Sequence, residues 1–212
     1  TISKSADLSL GETITQESIP DKIREYTKDI TTNEYGVSNT PIHLECIAPG
    51  NPTMTLIDLP GITHMSINDE NANIHEETVA LTQKYMSNEQ MVILCVIPGV
   101  DDFSNAESIK LARTFDSLGK RTLGVITKVD LCTPQSDIVK KLKGEAPGSV
   151  QLNLGFIAVK KSDSRKEEKN WFYNNPIFKD VPKTYWSTTE LISRIVKIQG
   201  GMISDWIPKI KT

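Results

Sequence analysis

Apolar positions in the first half of the chain mark one helix and a pair of strands. Residues 1–15 are polar and irregular, with Gly11 marking a turn. Ile23, Tyr26 and Ile30 then recur at helical spacing, and Pro20 suits the first turn of a helix ending near Ile30. Asn33, Gly36, Ser38, Asn39 and Pro41 make a loop. Ile42 to Ala48 alternates as a strand, and Pro49-Gly50-Asn51-Pro52 is a turn. The next segment, Thr53 to Ile57, reads as a buried strand, so the two are expected to pair as an antiparallel hairpin. It runs into Asp58-Leu59-Pro60-Gly61.

The second half alternates strand and helix patterns. A polar stretch from Thr63 to Asn73 precedes a helix over Ile74 to Met86. Gln90 to Ile97 is a nearly continuous apolar run, the mark of a parallel strand covered on both faces, and Pro98-Gly99 ends it. Ser104-Asn105-Ala106-Glu107 has capping-box spacing and opens a helix to about Leu118, with Ile109, Ala112 and Phe115 inward. The strand Thr122–Ile126 completes a β-α-β unit. Thr133-Pro134 introduces a helix to about Leu142, 143–150 is a loop, and Leu154 to Val159 is the next strand. Residues 163–186 hold a charged helix with Trp171 and Phe172, then a proline-rich passage to Trp186. Ser187-Thr188-Thr189-Glu190 is a second capping box. The helix after it carries Leu191, Ile195, Ile198, Met202 and Trp206 along one side, broadened by Ile192, Val196, Ile203 and Ile207. Gly200-Gly201 predicts a bend or break there, at roughly 1 kcal/mol per glycine relative to alanine. These elements describe an α/β fold with a mostly parallel sheet flanked by helices.

Composition narrows the picture. A chain of 212 residues suits one α/β core with a helical extension. Charged residues make up 24% and the formal net charge is −3, which gives no reason to propose nucleic acid. The Lys160-Lys161 and Arg165-Lys166 pairs lie among acids, as on a solvated face. Cys46, Cys95 and Cys132 show no C-x-x-C spacing; Cys46 and Cys95 sit within apolar strands, as reduced core thiols would, which points to the cytosol. No run of eighteen apolar residues and no signal peptide is visible. The chain begins at Thr1, and its natural N-terminus is expected to lie further upstream.

Two strand exits carry candidate chemistry. Asp58 at the end of an apolar strand can hold Mg²⁺ through water, and Gly61 lets a backbone N–H approach a terminal phosphate. Thr127-Lys128-Val129-Asp130, after Arg121 to Ile126, supplies a carboxylate that can accept two hydrogen bonds from a guanine edge. In this order, with a strand and helix between, the pair reads as a guanine-nucleotide-binding fold. The polar stretch 63–73 stands where a switch loop ordered by the γ-phosphate belongs. His64 within it reads as a mobile polar loop residue, and His43 as an ordinary strand histidine.

The chain resembles the dynamin superfamily, in particular Mx-like and plant dynamin-related GTPases. The resemblance rests on Pro41-Ile42-His43-Leu44, on Leu56 to Thr63, and on Arg121 to Leu131, with further likeness around Asn105-Ala106-Glu107 and Gly155 to Val159. It covers nearly the whole chain. It implies a P-loop-NTPase-like, dynamin-type GTPase domain over 1–187. Residues 188–212 would be its last helix passing into a bundle-signalling element. It also implies GTP and Mg²⁺ as ligands, with Asp58, Leu59, Pro60, Gly61 and Ile62 at the phosphate and metal side. Thr127, Lys128, Val129 and Asp130 would stand at the base, with Asp130 reading guanine, Lys128 laying its stem along the ring and Thr127 bracing the loop. Lys160 and Lys161 would occupy the base-contacting loop where many dynamins carry Asn-Arg. Ile62 stands where small GTPases carry a water-orienting Gln. The implied biology is a cytoplasmic motor-type protein that self-associates through this domain and a stalk, hydrolyses GTP, and works on membranes or microtubules.

One motif of such a domain is not in the sequence. The phosphate loop G-x-x-x-x-G-K-[S/T] has no match; Gly119 and Gly124 have the spacing, but Val125-Ile126 follows and the segment already belongs to a strand. The phosphate loop and first switch are therefore expected upstream of Thr1, no catalytic residue is assigned within the chain, and the isolated polypeptide is expected not to hydrolyse GTP. The alternative is a truncated, non-hydrolysing relative that acts as an interaction module through its terminal helix.

Overall fold

The computed structural model describes residues 1–3, 11–31, 37–50, 52–62, 74–103, 106–134, 136–146 and 151–210; the side chains of Ser136 and of 206–210 lie outside that description. The expectations placed on 63–73 (His64 included), on Asn33, Gly36 and Asn51, on Ser104 and Asn105, and on the side chains of Trp206 and Ile207 fall outside it too. The chain divides into two units, Thr1–Lys84 and Tyr85–Thr212.

In the first unit, strand β1 (Ile2–Ser3) pairs antiparallel with β2 (His43–Leu44), Ile2 opposite Leu44 and Ser3 opposite His43. The Glu45 N–H donates to the Thr1 carbonyl at 2.8 Å, and the Thr1 backbone nitrogen donates to the Glu45 carbonyl at 3.0 Å. Ile2 also exchanges two 3.1 Å backbone bonds with Glu12, so its neighbours take both its edges. Helix α1 (Ile19–Ile30) has Pro20 in its first turn and buries none of its side chains. Glu12 holds it by an ion pair to Lys22 at 2.9 Å and by accepting from the Tyr26 hydroxyl at 3.0 Å.

The expected hairpin does not form. Thr53 to Ile57 carries no strand pairing, and Leu56 and Ile57 are 66% and 43% exposed. The pattern marks residues able to make a strand, but it does not by itself supply the backbone pairing that makes one, and among the described residues β2 pairs with β1 and not with Thr53–Ile57. Cys46, expected in a strand core, lies past the end of β2 and is exposed.

The second unit is built round a parallel sheet in the order β3 (Ile93–Pro98), β4 (Thr122–Thr127), β5 (Phe156–Ala158). β4 is central, with Ile93 to Pro98 opposite Thr122 to Thr127 on one side and Phe156 to Ala158 opposite Gly124 to Ile126 on the other. Every β4 residue from Thr122 to Ile126 is buried. Full burial of a Leu, Val or Ile side chain contributes roughly 1.5–3 kcal/mol. Leu123, Val125 and Ile126 therefore make this strand the main apolar investment of the unit. Helix α2 (Ile74–Met86) spans the boundary between the units. Helix α3 (Glu107–Phe115) links β3 to β4, and α4 (Ser136–Lys143) links β4 to β5. Ile109 and Ala112 on α3, with Ile138 and Leu142 on α4, join the strand residues, Phe103 and Phe172 in one core. α3 stops at Phe115, earlier than the expected Leu118, because Asp116 turns its carboxylate to the strand entry. That carboxylate accepts from the Lys120 and Arg121 N–H groups at 2.9 Å each and from the Thr122 hydroxyl at 2.7 Å. Partial burial alone would raise its pKa, but these three donors and the Arg121 charge hold it below the usual value.

After β5 come α5 (Arg165–Asn174), two short 3-10 turns (Pro176–Phe178 and Lys183–Tyr185) and α6 (Thr188–Ile210). Ser164 caps α5 by accepting from the Glu167 N–H at 3.2 Å. The capping box of α6 is half made: the Ser187 hydroxyl accepts from the Glu190 N–H at 3.3 Å, but the Ser187 N–H donates to the Ala158 carbonyl at 2.9 Å. No break interrupts α6 at Gly200-Gly201, where the Ser204 hydroxyl donates to the Gly200 carbonyl at 3.0 Å. The glycines' cost is spread over a helix of 23 residues and does not outweigh its continuous hydrogen bonding.

A Cβ on Gly124 would stand 2.1 Å from Cδ1 of Phe156, whose ring fills the space beside β4. Gly124→Ala is expected to lower unfolding free energy by roughly 1–3 kcal/mol, since overpacking forces strand and ring apart; urea unfolding checks it. Burial pushes the Cys95 thiol up to about 12 and also raises that of Cys132. Thiolate is the reactive form, so native-state alkylation should modify Cys46 first and leave Cys95 and Cys132 to react only on unfolding, as peptide mass mapping would read.

Candidate nucleotide-binding site

All three parallel strands end on the same side of the sheet, and their exits are stitched together. The Gly99 N–H after β3 donates to the Thr127 carbonyl at 2.6 Å, and the Val159 N–H after β5 donates to the Ile126 carbonyl at 2.8 Å. Gly99 is glycine for want of room, since an added Cβ would meet Cδ1 of Ile138 at 2.8 Å. Lys141 of α4 spans the first exit, its Nζ donating to the carbonyls of Gly99 at 2.6 Å and Asp101 at 2.8 Å. The carboxyl ends of parallel strands are where open α/β sheets gather ligand-binding loops.

The turn after β4 has the most specific construction. Lys128 adopts φ 53°, the left-handed region, which turns the chain sharply off the strand. The Leu131 N–H closes the turn on the Lys128 carbonyl at 3.0 Å. Val129 is completely buried and pegs the loop into the core, so its neighbours Lys128 and Asp130 face outward. Asp130 keeps 31% of its side chain exposed.

Lys160, two residues past β5, joins this turn. Its Nζ stands 4.0 Å from Oδ2 of Asp130, donates to the Lys161 carbonyl at 3.0 Å and the Ser162 hydroxyl at 3.4 Å, and lies 5.9 Å from the centroid of the Trp171 ring. Lys161 is exposed. Thus Thr127, Lys128, Val129, Asp130, Lys160 and Lys161 all stand at one sheet edge, within the second unit. A partly exposed carboxylate with the Lys160 ammonium nearby can accept from two adjacent N–H donors.

Asp58, Leu59, Pro60, Gly61 and Ile62 belong to the first unit, in a stretch without strand pairing. Asp58, Pro60 and Gly61 are exposed, Leu59 and Ile62 half-buried. A Cβ on Gly61 would meet nothing within 4 Å. Among the described residues no three His, Cys, Asp or Glu side chains gather as a metal set. The donor chemistry at Asp58 is that of one carboxylate, suited to a hydrated cation and not to direct chelation.

Glu168 is a site residue that the sequence reading missed. Buried to 2% exposure, it accepts from the Lys160 N–H. It lies in the run Arg165-Lys166-Glu167-Glu168-Lys169, where charge pattern cannot separate one glutamate from another. The available signal was Phe172, one helical turn on and itself buried, which puts Glu168 on the inner face of α5.

Comparison with known proteins gives a consistent result. Residues 5–129 match the model of the dynamin family. The chain is 30% identical over 202 residues to dynamin-related protein 4C of Arabidopsis thaliana, covering 92% of this chain and 29% of that protein. It is 33% identical over 205 residues to dynamin-A of Dictyostelium discoideum, covering 91% and 24%. It is 32% identical over 208 residues to the dynamin-related protein DNM1 of Saccharomyces cerevisiae, covering 92% and 27%. The chain thus spans less than a third of the length of each of these relatives.

A left-handed residue other than glycine costs roughly 1–2 kcal/mol, and a glycine's extra unfolded-state freedom offsets part of what replacement would recover. Lys128→Gly is therefore expected to hold or slightly raise the melting temperature, because it relieves the backbone. Thermal unfolding checks it.

Proposed function

The chain belongs to the dynamin family, and from that premise we propose that it supplies the base-reading part, and a portion of the phosphate side, of a dynamin-type GTPase domain. The observation that carries this reading is the turn after β4, in which a left-handed Lys128 and a buried Val129 hold Asp130 outward beside Lys160. In the proposed complex the Asp130 carboxylate accepts from the ring N–H and exocyclic amine of guanine. Adenine offers no such pair of donors, and leaving a desolvated carboxylate unpaired costs several kcal/mol, on the order that separates cognate from non-cognate ligands at hydrogen-bonding sites. Lys128 lays its methylenes along the base. Thr127 braces the turn through its carbonyl bond to Gly99. Lys160 and Lys161 close the base side.

Asp58 and the Gly61 backbone are assigned to the phosphate side, Asp58 through a hydrated Mg²⁺ and Gly61 at the γ-phosphate. Mg²⁺ bound with nucleotide would neutralise phosphate charge. What this chain's residues contribute is selection and orientation of the base. The proposed division is a GTPase domain over 1–187 and, over 188–212, a helix that leads into a bundle-signalling element. For the whole protein we infer GTP hydrolysis coupled to self-assembly on a membrane or microtubule surface, in the cytoplasm. No described helix is long and apolar enough to cross a membrane.

Asp130→Asn tests the reading through hydrogen-bond polarity. The amide offers a donor where guanine's amine needs an acceptor, and xanthine's second carbonyl meets that donor. Competition against a fluorescent guanine nucleotide should show GTP favoured over ATP in the unaltered chain. In the variant the preference should pass to xanthosine triphosphate, by roughly tenfold or more, the worth of one charge-assisted bond. An Asp130→Asn chain that still prefers GTP as strongly as the parent would sink the assignment.

A further inference from the structure

Resting on the guanine-site reading above, we propose that Glu168 is a positioning residue for base selectivity, acting through Lys160 and braced by Thr188. Glu168 projects from α5 and is 2% exposed. Its Oε1 accepts from the Lys160 N–H at 3.1 Å, from the Thr188 N–H at 3.1 Å and from the Thr188 hydroxyl at 3.0 Å. Its Oε2 accepts from the same Thr188 N–H at 2.9 Å. One carboxylate thus holds the first residues of the loop after β5 and of α6 together. Buried carboxylates persist only when such donors replace water, and the N-terminus of α6 adds a favourable dipole.

The surroundings make this clamp rigid. Trp186 bridges to Ala158 in parallel, extending the edge of β5, and the Ser187 N–H donates to the Ala158 carbonyl. Ser187 is fully buried and held at φ 91°, a conformation that surrounding contacts must impose on a residue with a Cβ. Phe172, one turn beyond Glu168, stacks on Trp186 at a centroid distance of 4.9 Å. Glu168 has little freedom, so it fixes the backbone of Lys160. The Lys160 side chain in turn stands at Asp130 and over Trp171. Displacing Lys160 would leave Asp130 without its neighbour and alter how squarely the carboxylate meets two donors at once. Neither Glu168 nor Thr188 touches the base in this account.

The test separates selectivity from stability by comparing GTP with inosine triphosphate, whose base lacks the exocyclic amine. The unaltered chain should favour GTP roughly tenfold or more, for one charge-assisted hydrogen bond. Glu168→Gln replaces an acceptor with an amide donor facing the Thr188 N–H, and Thr188→Val removes the hydroxyl donor at constant shape. Both should compress that ratio at least threefold and shift the Lys160 amide resonance in the nucleotide-free, isotope-labelled chain; Thr188→Ser should restore both readouts. If Glu168→Gln does not fold, the Thr188 pair carries the comparison. A parallel loss of affinity for both nucleotides that tracks melting temperature overturns the inference, as does a ratio that survives the substitutions. Lack of any GTP preference in the unaltered chain overturns the guanine reading and this inference with it; a GTP preference indifferent to Glu168 and Thr188 overturns this inference alone.

Discussion

Strand β4 is hydrogen-bonded along both edges and covered on both faces, so it cannot slip in register without breaking two ladders and exposing Leu123, Val125 and Ile126 together. Its entry is pinned as firmly as its middle. The buried Arg121 guanidinium donates to the carbonyls of Met86, Asn88, Met91 and Phe115, at 2.6 to 3.3 Å, and so collects chain ends from two helices round one charge. Asp116 ties the same entry through backbone donors. A strand fixed in this way delivers its exit residues to set coordinates, and the turn Lys128–Leu131 inherits that precision at a point where left-handed backbone and a buried valine allow little relaxation. The candidate base site is therefore a consequence of sheet packing more than of loop sequence.

The same physics explains which elements were legible in the amino-acid sequence. β4 is buried on both faces, which demands a continuous apolar run, and Thr122 to Ile126 supplies it. β3, read from Gln90 to Ile97 as covered on both faces, buries only the face of Ile93, Cys95 and Ile97 and leaves Val96 56% exposed, being paired, among the described residues, along one edge only. The helices between them announce themselves by period, with Ile109 and Ala112 inward as expected. Thr53 to Ile57 has as good a strand pattern, but pattern records only a side-chain preference and does not say which segments pair. Ile2–Ser3 is too short to show any period, yet it is the segment that pairs with His43–Leu44. Cys46 followed the failed hairpin to the surface, whereas Cys95, on the covered face of β3, is buried as read.

Site residues divide along similar lines. Thr127, Lys128, Val129 and Asp130 form a contiguous phrase after a strand, so chain order alone puts them at a sheet edge. Lys160 and Lys161 are found by counting past the next strand. Glu168 and Thr188 are not adjacent to any strand end, and they meet only because Trp186 returns beside Ala158 and lays the start of α6 against the loop. Such a meeting depends on tertiary path. Ser187 illustrates the limit well: its hydroxyl does what a capping box predicts, while its N–H is diverted to β5 by the same return of the chain.

The pairing of Asp130 with Lys160 has a geometry that suits ligand exchange. At 4.0 Å the ammonium is beyond normal hydrogen-bond length, so it compensates the carboxylate's charge without filling its lone pairs. A tight, direct ion pair would have to be broken before a base could bind, and breaking it would subtract from affinity. A carboxylate with no cation nearby would instead meet the full cost of desolvation when the base covered it. The observed spacing lies between these extremes, and it is held there because the Lys160 ammonium donates to the Lys161 carbonyl and Ser162 hydroxyl, over the Trp171 ring, and because its backbone is anchored on a buried glutamate. In the proposed guanine site, base selectivity would rest on keeping a cation near Asp130 but off it, a task for the loop's supports as much as for the residues that would meet the ligand.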